Sequence, residues 1–323
     1  MLGGGRLLLR CLVLVCLPAL AACASAAVAG GVPVTPLATV GVPVTPLATV
    51  ALPAPRFHAE LQPDLQYGLY AAQTLDLCVP AGATGTGARP GVVLIHGGAW
   101  MHGDKLRWRS LCLQLAAQGF VAASIDYRLA PEWPWPAQLV DAQLAVRWLR
   151  AQAFSVGLDA HHLCAYGDSA GGHLAVFLGA LQSIHAGDLA TTLTAQSPVV
   201  SCVVDDFGPT DVVSLAPTPL GQQIAGPLFG GKTPQSDPAL YRDASPVFAV
   251  TPASAPMLLV QGTRDGVVPA SQSAELAQAL RAQHVPVQYV TYDGDHEFNG
   301  LPAARQRTLL DLTIAFLLAH TSP

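Results

Sequence analysis

The stretch AYGDSAGGH, Ala165–His173, sets one serine among glycines in a G-x-S-x-G pattern. Ser169 is a candidate nucleophile, but a hydroxyl attacks poorly unless a base takes its proton and donors hold the oxyanion that forms. Of ten histidines, His296 in VTYDGDHEF stands just after the last strand-like run and is the expected base. An imidazole base needs a carboxylate to fix its tautomer and stabilise the imidazolium. Asp265 in LLVQGTRDGVVP follows the preceding apolar run on a glycine-bounded loop and takes that role. Asp211 in FGPTD is the rival, whereas the carboxylates of Asp293 and Asp295 sit too near His296 in sequence to converge on its ring. His173 and His96 are read as packing and loop-shaping residues. The order serine, aspartate, histidine suits a strand–turn–helix nucleophile elbow.

Two loops supply candidate oxyanion donors. VVLIHGGAW, Val92–Trp100, is a buried strand running into a glycine pair, which leaves the N–H groups of Gly98 and Ala99 open to an approaching oxygen. The helix that starts after Ser169 offers the N–H of Ala170. Preorganised donors of this kind are worth about 3 kcal/mol each. H-E-x-x-H and G-x-G-x-x-G do not occur, no P-loop is expected, and the cysteines and histidines lack metal-ligand spacing. No metal and no organic cofactor is therefore expected.

These residues need elements to carry them. Short apolar, β-branched runs predict strands at 75–79, 92–96, 121–125, 163–166, 199–204, 257–261 and 287–292. Between them, Trp108, Leu111, Cys112, Leu115 and Ala116 fall on one helical face, with Asp104 placed to cap and Gly119 to terminate. Leu139, Ala142, Val146 and Leu149 mark a second helix after Pro134, and others are expected at 170–181, 271–283 and 303–318. Alternation of strand and helix predicts an α/β fold, a mostly parallel central sheet with helices on both faces. Without a long insertion of the lipase-lid kind, short to medium acyl groups are the expected substrates.

The stretches HGGAWMHGDK, DYRLAPEWPWPAQLVDAQLAVRWL, GDSAGGHLA, ASPVF, PMLLVQGTRDGVVPASQS and DGDHEF resemble the α/β-hydrolase superfamily. Within it they are similar to the hormone-sensitive-lipase-like carboxylesterases and their feruloyl-esterase-like relatives. The resemblance implies Ser169 as nucleophile, His296 as base, Asp265 as orienting acid and Gly98, Ala99 and Ala170 as oxyanion donors. It departs from the lipase-like branch at Ala99, where a third glycine is usual, and Trp100 follows as a candidate pocket residue. The expected activity is hydrolysis of small carboxylic esters through an acyl-enzyme. An arylformamidase or other amide-cleaving activity on the same triad is the alternative, and a non-catalytic receptor is disfavoured because no triad residue is missing. In YRLAPEWPWP, Trp133 and Trp135 are read as wedging the loop against the core, with Arg128 and Asp141 as a buried pair that fixes it.

The N-terminal stretch carries different information. Residues 1–23 read as an export signal, two arginines and then an apolar run. Leu20-Ala21-Ala22-Cys23 resembles the lipobox of bacterial lipoproteins, which implies lipidation of Cys23 and a membrane anchor. The expected location is the cell envelope, as an outer-membrane lipoprotein facing the periplasm or the surface, with a periplasmic or secreted protein as the alternatives. Residues 24–56 read as a proline-rich linker, in which GVPVTPLATV occurs twice without change over 31–50, and 57–323 as the hydrolase domain. Cys78, Cys112, Cys164 and Cys202 are expected to be scattered core thiols. A net charge of −5 with no basic run excludes a nucleic-acid partner.

Overall fold

Runs such as VVLI and MLLV have no polar side, which suits strands buried on both faces of a parallel sheet. The computed structural model describes residues 41–47, 50–83, 88–181 and 192–321. Among them are β1 (Ala59–Gln66), β2 (Thr74–Pro80), β3 (Arg89–Ile95), β4 (Val121–Ile125), β5 (Leu158–Asp168), β6 (Val203–Asp206), β7 (Met257–Gly262) and β8 (Val287–Tyr292). They form one sheet in the order β1-β2-β4-β3-β5-β6-β7-β8. β2 runs antiparallel to β1 and β4, and every other pairing is parallel.

The helices in chain order are α1 (Arg109–Gln118), α2 (Ala137–Ala151), α3 (Ala153–Val156), α4 (Ala170–Ala180), α5 (Val212–Leu215), α6 (Pro219–Phe229), α7 (Pro238–Asp243), α8 (Ser271–Ala282) and α9 (Ala303–Ala319). Alternate strand residues feed two cores. Val93 and Ile95 pack with α2, α4, α6 and α8, while Val92 and Leu94 pack with α1 and α9. The expected α/β fold is therefore present, with helices on both faces. Parallel strands bring their C-terminal ends to one edge, where ligand crevices form in such sheets.

Several details differ from the expectations. β1 gave no strand signal because its AELQPDLQ sequence is an exposed edge strand broken by proline, with little to bury. Asp104 caps a short 3₁₀ turn, its carboxylate accepting from Leu106 N at 2.9 Å, and α1 starts only at Arg109. Between β6 and β7 an excursion carries α5, α6 and α7, with Leu220, Ile224 and Leu228 of α6 buried in the first core. The four cysteines are not free thiols either. Cys78–Cys112 joins β2 to α1, and Cys164–Cys202 joins β5 to the residue before β6. Their Cα atoms stand 5.7 and 4.7 Å apart, within bridging range, a proximity that pairs of distant strands and helices create and linear spacing hides.

Residues from Gly41 onward form one compact unit, which begins before the boundary expected at residue 57. The described part of the proline-rich linker has no helix or strand, as its prolines require. It does not stand clear of the domain. Thr45 N donates to the Tyr289 carbonyl of β8 at 2.6 Å, Arg281 donates to the Pro43 carbonyl at 2.8 Å, and Leu47 and Leu52 pack on the second core. A sheet edge presents unpaired peptide groups, and this segment covers some of them. Cys23, the export signal and the first repeat copy lie outside the described residues.

Candidate active site

β5 ends at Asp168 and the chain turns at once into α4. Ser169 sits on the corner at φ 51° and ψ −120°, a strained conformation for an L-residue. The corner packs tightly on β3: a Cβ on Gly171 would lie 2.1 Å from the Ile95 carbonyl oxygen. This geometry aims Ser169 Oγ at the loop after β8, where His296 Nε2 lies 3.1 Å away. His296 Nδ1 is 2.7 Å from Asp265 Oδ2 on the loop after β7. With a carboxylate at Nδ1 the proton belongs there, which leaves Nε2 to accept from the serine hydroxyl. The three side chains expected to work together are brought together.

Asp265 is held from both sides. Val267 N and Val268 N donate to Oδ1 at 2.9 and 2.8 Å, and Gln261 Nε2 donates to Oδ2 at 3.0 Å. Asp295, rejected as the acid, ties the two loops instead: its Oδ1 accepts from Gly266 N at 2.9 Å and from His296 N at 2.7 Å. Those backbone bonds hold its carboxyl below the usual range. The rival Asp211 caps α5 through Val213 N and Ser214 N and stays outside the triad.

The loop after β3 carries Gly98, Ala99 and Trp100 at φ 113°, 53° and 60°. Among the described residues, the N–H groups of Gly98, Ala99 and Ala170 find no backbone acceptor, so they are free to meet an oxyanion. Asp168 couples this loop to the nucleophile corner. Its Oδ1 accepts from Gly97 N at 2.8 Å and Trp108 Nε1 at 3.1 Å, and Arg107 meets Oδ2 at 3.2 Å. Burial raises the Asp168 carboxyl, and Arg107 pulls it back. His96 shapes the same loop as expected, its Nδ1 2.7 Å from the Gly97 carbonyl and its ring stacked on Tyr127.

Trp100 is corrected. It is 1% exposed, its left-handed backbone turning the indole under the loop onto His173 of α4, 4.9 Å away edge to face. It does not line an open substrate pocket. Trp135 packs on His173 and Phe177 in the core, as the wedge reading expects, whereas Trp133 is half-buried on Tyr70 and Arg128, at 4.7 and 4.9 Å. Arg128 and Asp141 form the expected buried pair, at 2.7 Å. His173 is a packing residue, with Nε2 2.9 Å from the Ala244 carbonyl, and burial pushes its imidazole down to about 4.

One string contradicts an expectation on its letters. GPLFGGKT, 226–233, spells a P-loop, yet it lies at the end of α6 and not between a strand and a helix. Gly230 N and Gly231 N donate back to the Gly226 and Ala225 carbonyls, and Lys232 Nζ pairs with Asp237 at 2.8 Å. Its donors are spent on capping the helix, so it cradles no phosphate. Sequence reading also passed over Gln261, Asp168 and the 205–208 turn, where Ser169 N donates to the Asp206 carbonyl at 2.8 Å. Only Asp168 had a signal, its place inside the GDSAGG motif.

Fold and site together define an α/β-hydrolase with a serine at the nucleophile elbow. The chain belongs to the BD-FAE family, whose model matches residues 75–280. It is 34% identical over 225 residues to Esterase LipC of Mycobacterium tuberculosis (strain ATCC 25618 / H37Rv), a match covering 67% of this chain and 55% of LipC. The chain thus spans little more than half the length of that curated relative. Among solved structures, a truncated carbohydrate esterase from gut microbiota superposes with a TM-score of 0.72 at 25% identity, covering 84% of this chain and 99% of that one. Esterase 2 of Thermogutta terrifontis in its propionate-bound form gives 0.65 at 25% identity, covering 82% and 96%.

Proposed function

We propose that the protein is a serine carboxylesterase for small esters with short acyl groups. The observation that carries this reading is the unbroken relay from Asp265 to His296 to Ser169, at 2.7 and 3.1 Å, beside N–H groups without a backbone acceptor. Ser169 Oγ attacks the ester carbonyl as His296 Nε2 takes its proton, and Asp265 stabilises the imidazolium. The oxyanion settles on the N–H groups of Gly98, Ala99 and Ala170. His296 returns the proton to the departing alcohol, and an activated water then releases the acid from the acyl-enzyme. The propionate held by the Thermogutta esterase supports a short acyl group. No observation on this chain favours the amide-cleaving alternative.

The test is a panel of p-nitrophenyl and aryl esters with Ser169→Ala as control. The substitution is expected to lower kcat by about four or more orders of magnitude. Equal turnover by the two proteins would sink the reading.

We further propose that the protein is exported and anchored through lipidated Cys23. The two disulfides support an oxidising compartment, and the lipobox-like Leu20–Cys23 supports the anchor. Cys23→Ser is expected to shift the protein from the membrane to the soluble fraction, and unchanged fractionation would refute the anchor.

A further inference from the structure

Two hydrogen bonds place the His296 imidazole at opposite ends, Nδ1 on Asp265 and Nε2 on Ser169. Bonds at two points fix where the ring lies along the line between them. With the Cβ–Cγ bond they define the ring's mean plane, but torsion about χ1 and χ2 still lets the ring swing within the slack of two hydrogen bonds. A general base that swings loses alignment with the hydroxyl it must deprotonate, and small misplacements are costly in rate. A packed neighbour can restrain that swing.

That contact comes from the end of β6. Phe207 is fully buried, and its ring centroid lies 4.7 Å from that of His296 at an interplanar angle of 63°. On another side Phe207 meets Phe298, 5.1 Å away at 77°. His296 and Phe298 belong to the same short turn, in which Glu297 and Phe298 take φ values of 56° and 62°. The histidine loop therefore wraps around the Phe207 ring.

The backbone beneath is arranged for this at a cost. Phe207 itself adopts φ 49°, a left-handed conformation unfavourable for a bulky residue. The glycine that would tolerate it better comes one place later. A Cβ on Gly208 would fall 2.4 Å from Asp205 Oδ1 and 2.7 Å from His173 N, so the two residues cannot exchange roles. Phe207 N donates to the Val260 carbonyl of β7 at 2.8 Å, and Gly208 N donates to Asp205 Oδ1 at 2.8 Å. The preceding carbonyl, that of Asp206, accepts from Ser169 N at 2.8 Å. One strained turn thus grips the nucleophile through its backbone and the base through an aromatic ring.

We infer that Phe207 is a positioning residue for the reaction, restraining the His296 imidazole through a T-shaped ring contact while the turn that carries it fixes Ser169. The inference rests on the triad reading above, and the experiment keeps the two apart. Phe207→Leu retains apolar bulk and removes the ring, whereas Phe207→Tyr retains the ring. Each variant is counted by active-site titration with an organophosphate, so that rates refer to competent sites only. For Phe207→Leu, per-site kcat on p-nitrophenyl acetate is expected to fall about tenfold with KM within about twofold. Phe207→Tyr is expected to recover most of the loss. Without substrate, the low-field proton resonance of the His296–Asp265 hydrogen bond is expected to broaden in Phe207→Leu and persist in Phe207→Tyr. Wild-type per-site kcat in Phe207→Leu, or an unchanged resonance, would overturn the inference. If the wild type lacks esterase activity, the triad reading fails while the resonance still reports on Phe207.

Discussion

Three carboxyl groups crowd the C-terminal ends of β5 and β6, and each meets its neighbours differently. Asp168 is offset by Arg107, and Asp206 accepts from the Tyr166 hydroxyl at 2.7 Å, though burial still pushes its carboxyl well up. Asp205 accepts from Gly208 N through Oδ1, while its Oδ2 has no partner among the described residues. Burial pushes the Asp205 carboxyl up to about 7 from an ordinary 3.8. Between those values the folded protein keeps a proton that the unfolded chain has released. Stability is therefore lost as pH rises through this window and levels off above it. His173 acts in the opposite sense, its contribution being lost as pH falls from 6.5 through about 4. Asp205→Asn preserves the Oδ1 acceptor and removes the ionisation. Its gain in Tm over the wild type is expected to grow by roughly 5 °C between pH 5 and pH 8. Melting curves that stay parallel across that range would show that Asp205 is not the group responsible.

Elements were legible in the sequence in proportion to how much they bury. β3, β4, β7 and β8 appear within a few residues of the expected bounds because nearly every side chain in them is apolar or β-branched. α4, α8 and α9 were equally plain, and so was the corner at Ser169, whose glycines announce a close backbone approach. β1, α5 and α7 give little signal for the converse reason, being short or exposed, whereas α6 carries Leu220, Ile224 and Leu228 at helical spacing behind a Thr218 cap and was legible but not read. The same logic divides the site. Ser169, Asp265, His296 and the loop amides were readable because each stands in a motif at the end of a strand signal. Phe207 and the tying role of Asp295 were not, since their work depends on which loops the sheet order sets side by side, and Gln261, which reaches Asp265 four residues on, has no motif to mark it. Strand order β5-β6-β7-β8 places those four loops in sequence along one edge, and no local pattern encodes it. The pocket expectation for Trp100 rests on the resemblance alone, which does not specify the backbone conformation that aims the indole. Here φ is 60° and the indole turns in.

At the scale of the whole molecule, the two disulfides divide the fold. Cys78–Cys112 closes a loop over a sequence separation of 34 and clamps α1 to the antiparallel side of the sheet. Cys164–Cys202 closes one of 38 that contains the nucleophile corner and all of α4. In the chain-entropy view, a bridge over a loop of this size stabilises by restricting the unfolded chain, by about 4 kcal/mol. Neither bridge touches the triad, so their loss acts on folding and not on the chemistry of molecules that remain folded. The double substitution Cys164→Ala with Cys202→Ala is expected to lower Tm by roughly 10 °C. Its kcat per titrated site is expected to stay within about twofold of the wild type. Thermal unfolding with and without reductant checks the same point from the other side, because the variant has one bridge fewer to lose and responds less. A wild-type Tm indifferent to reductant, with both bridges shown to be open, would mean that packing alone holds β5 and β6 together. The Cys164–Cys202 link would then have no stabilising role.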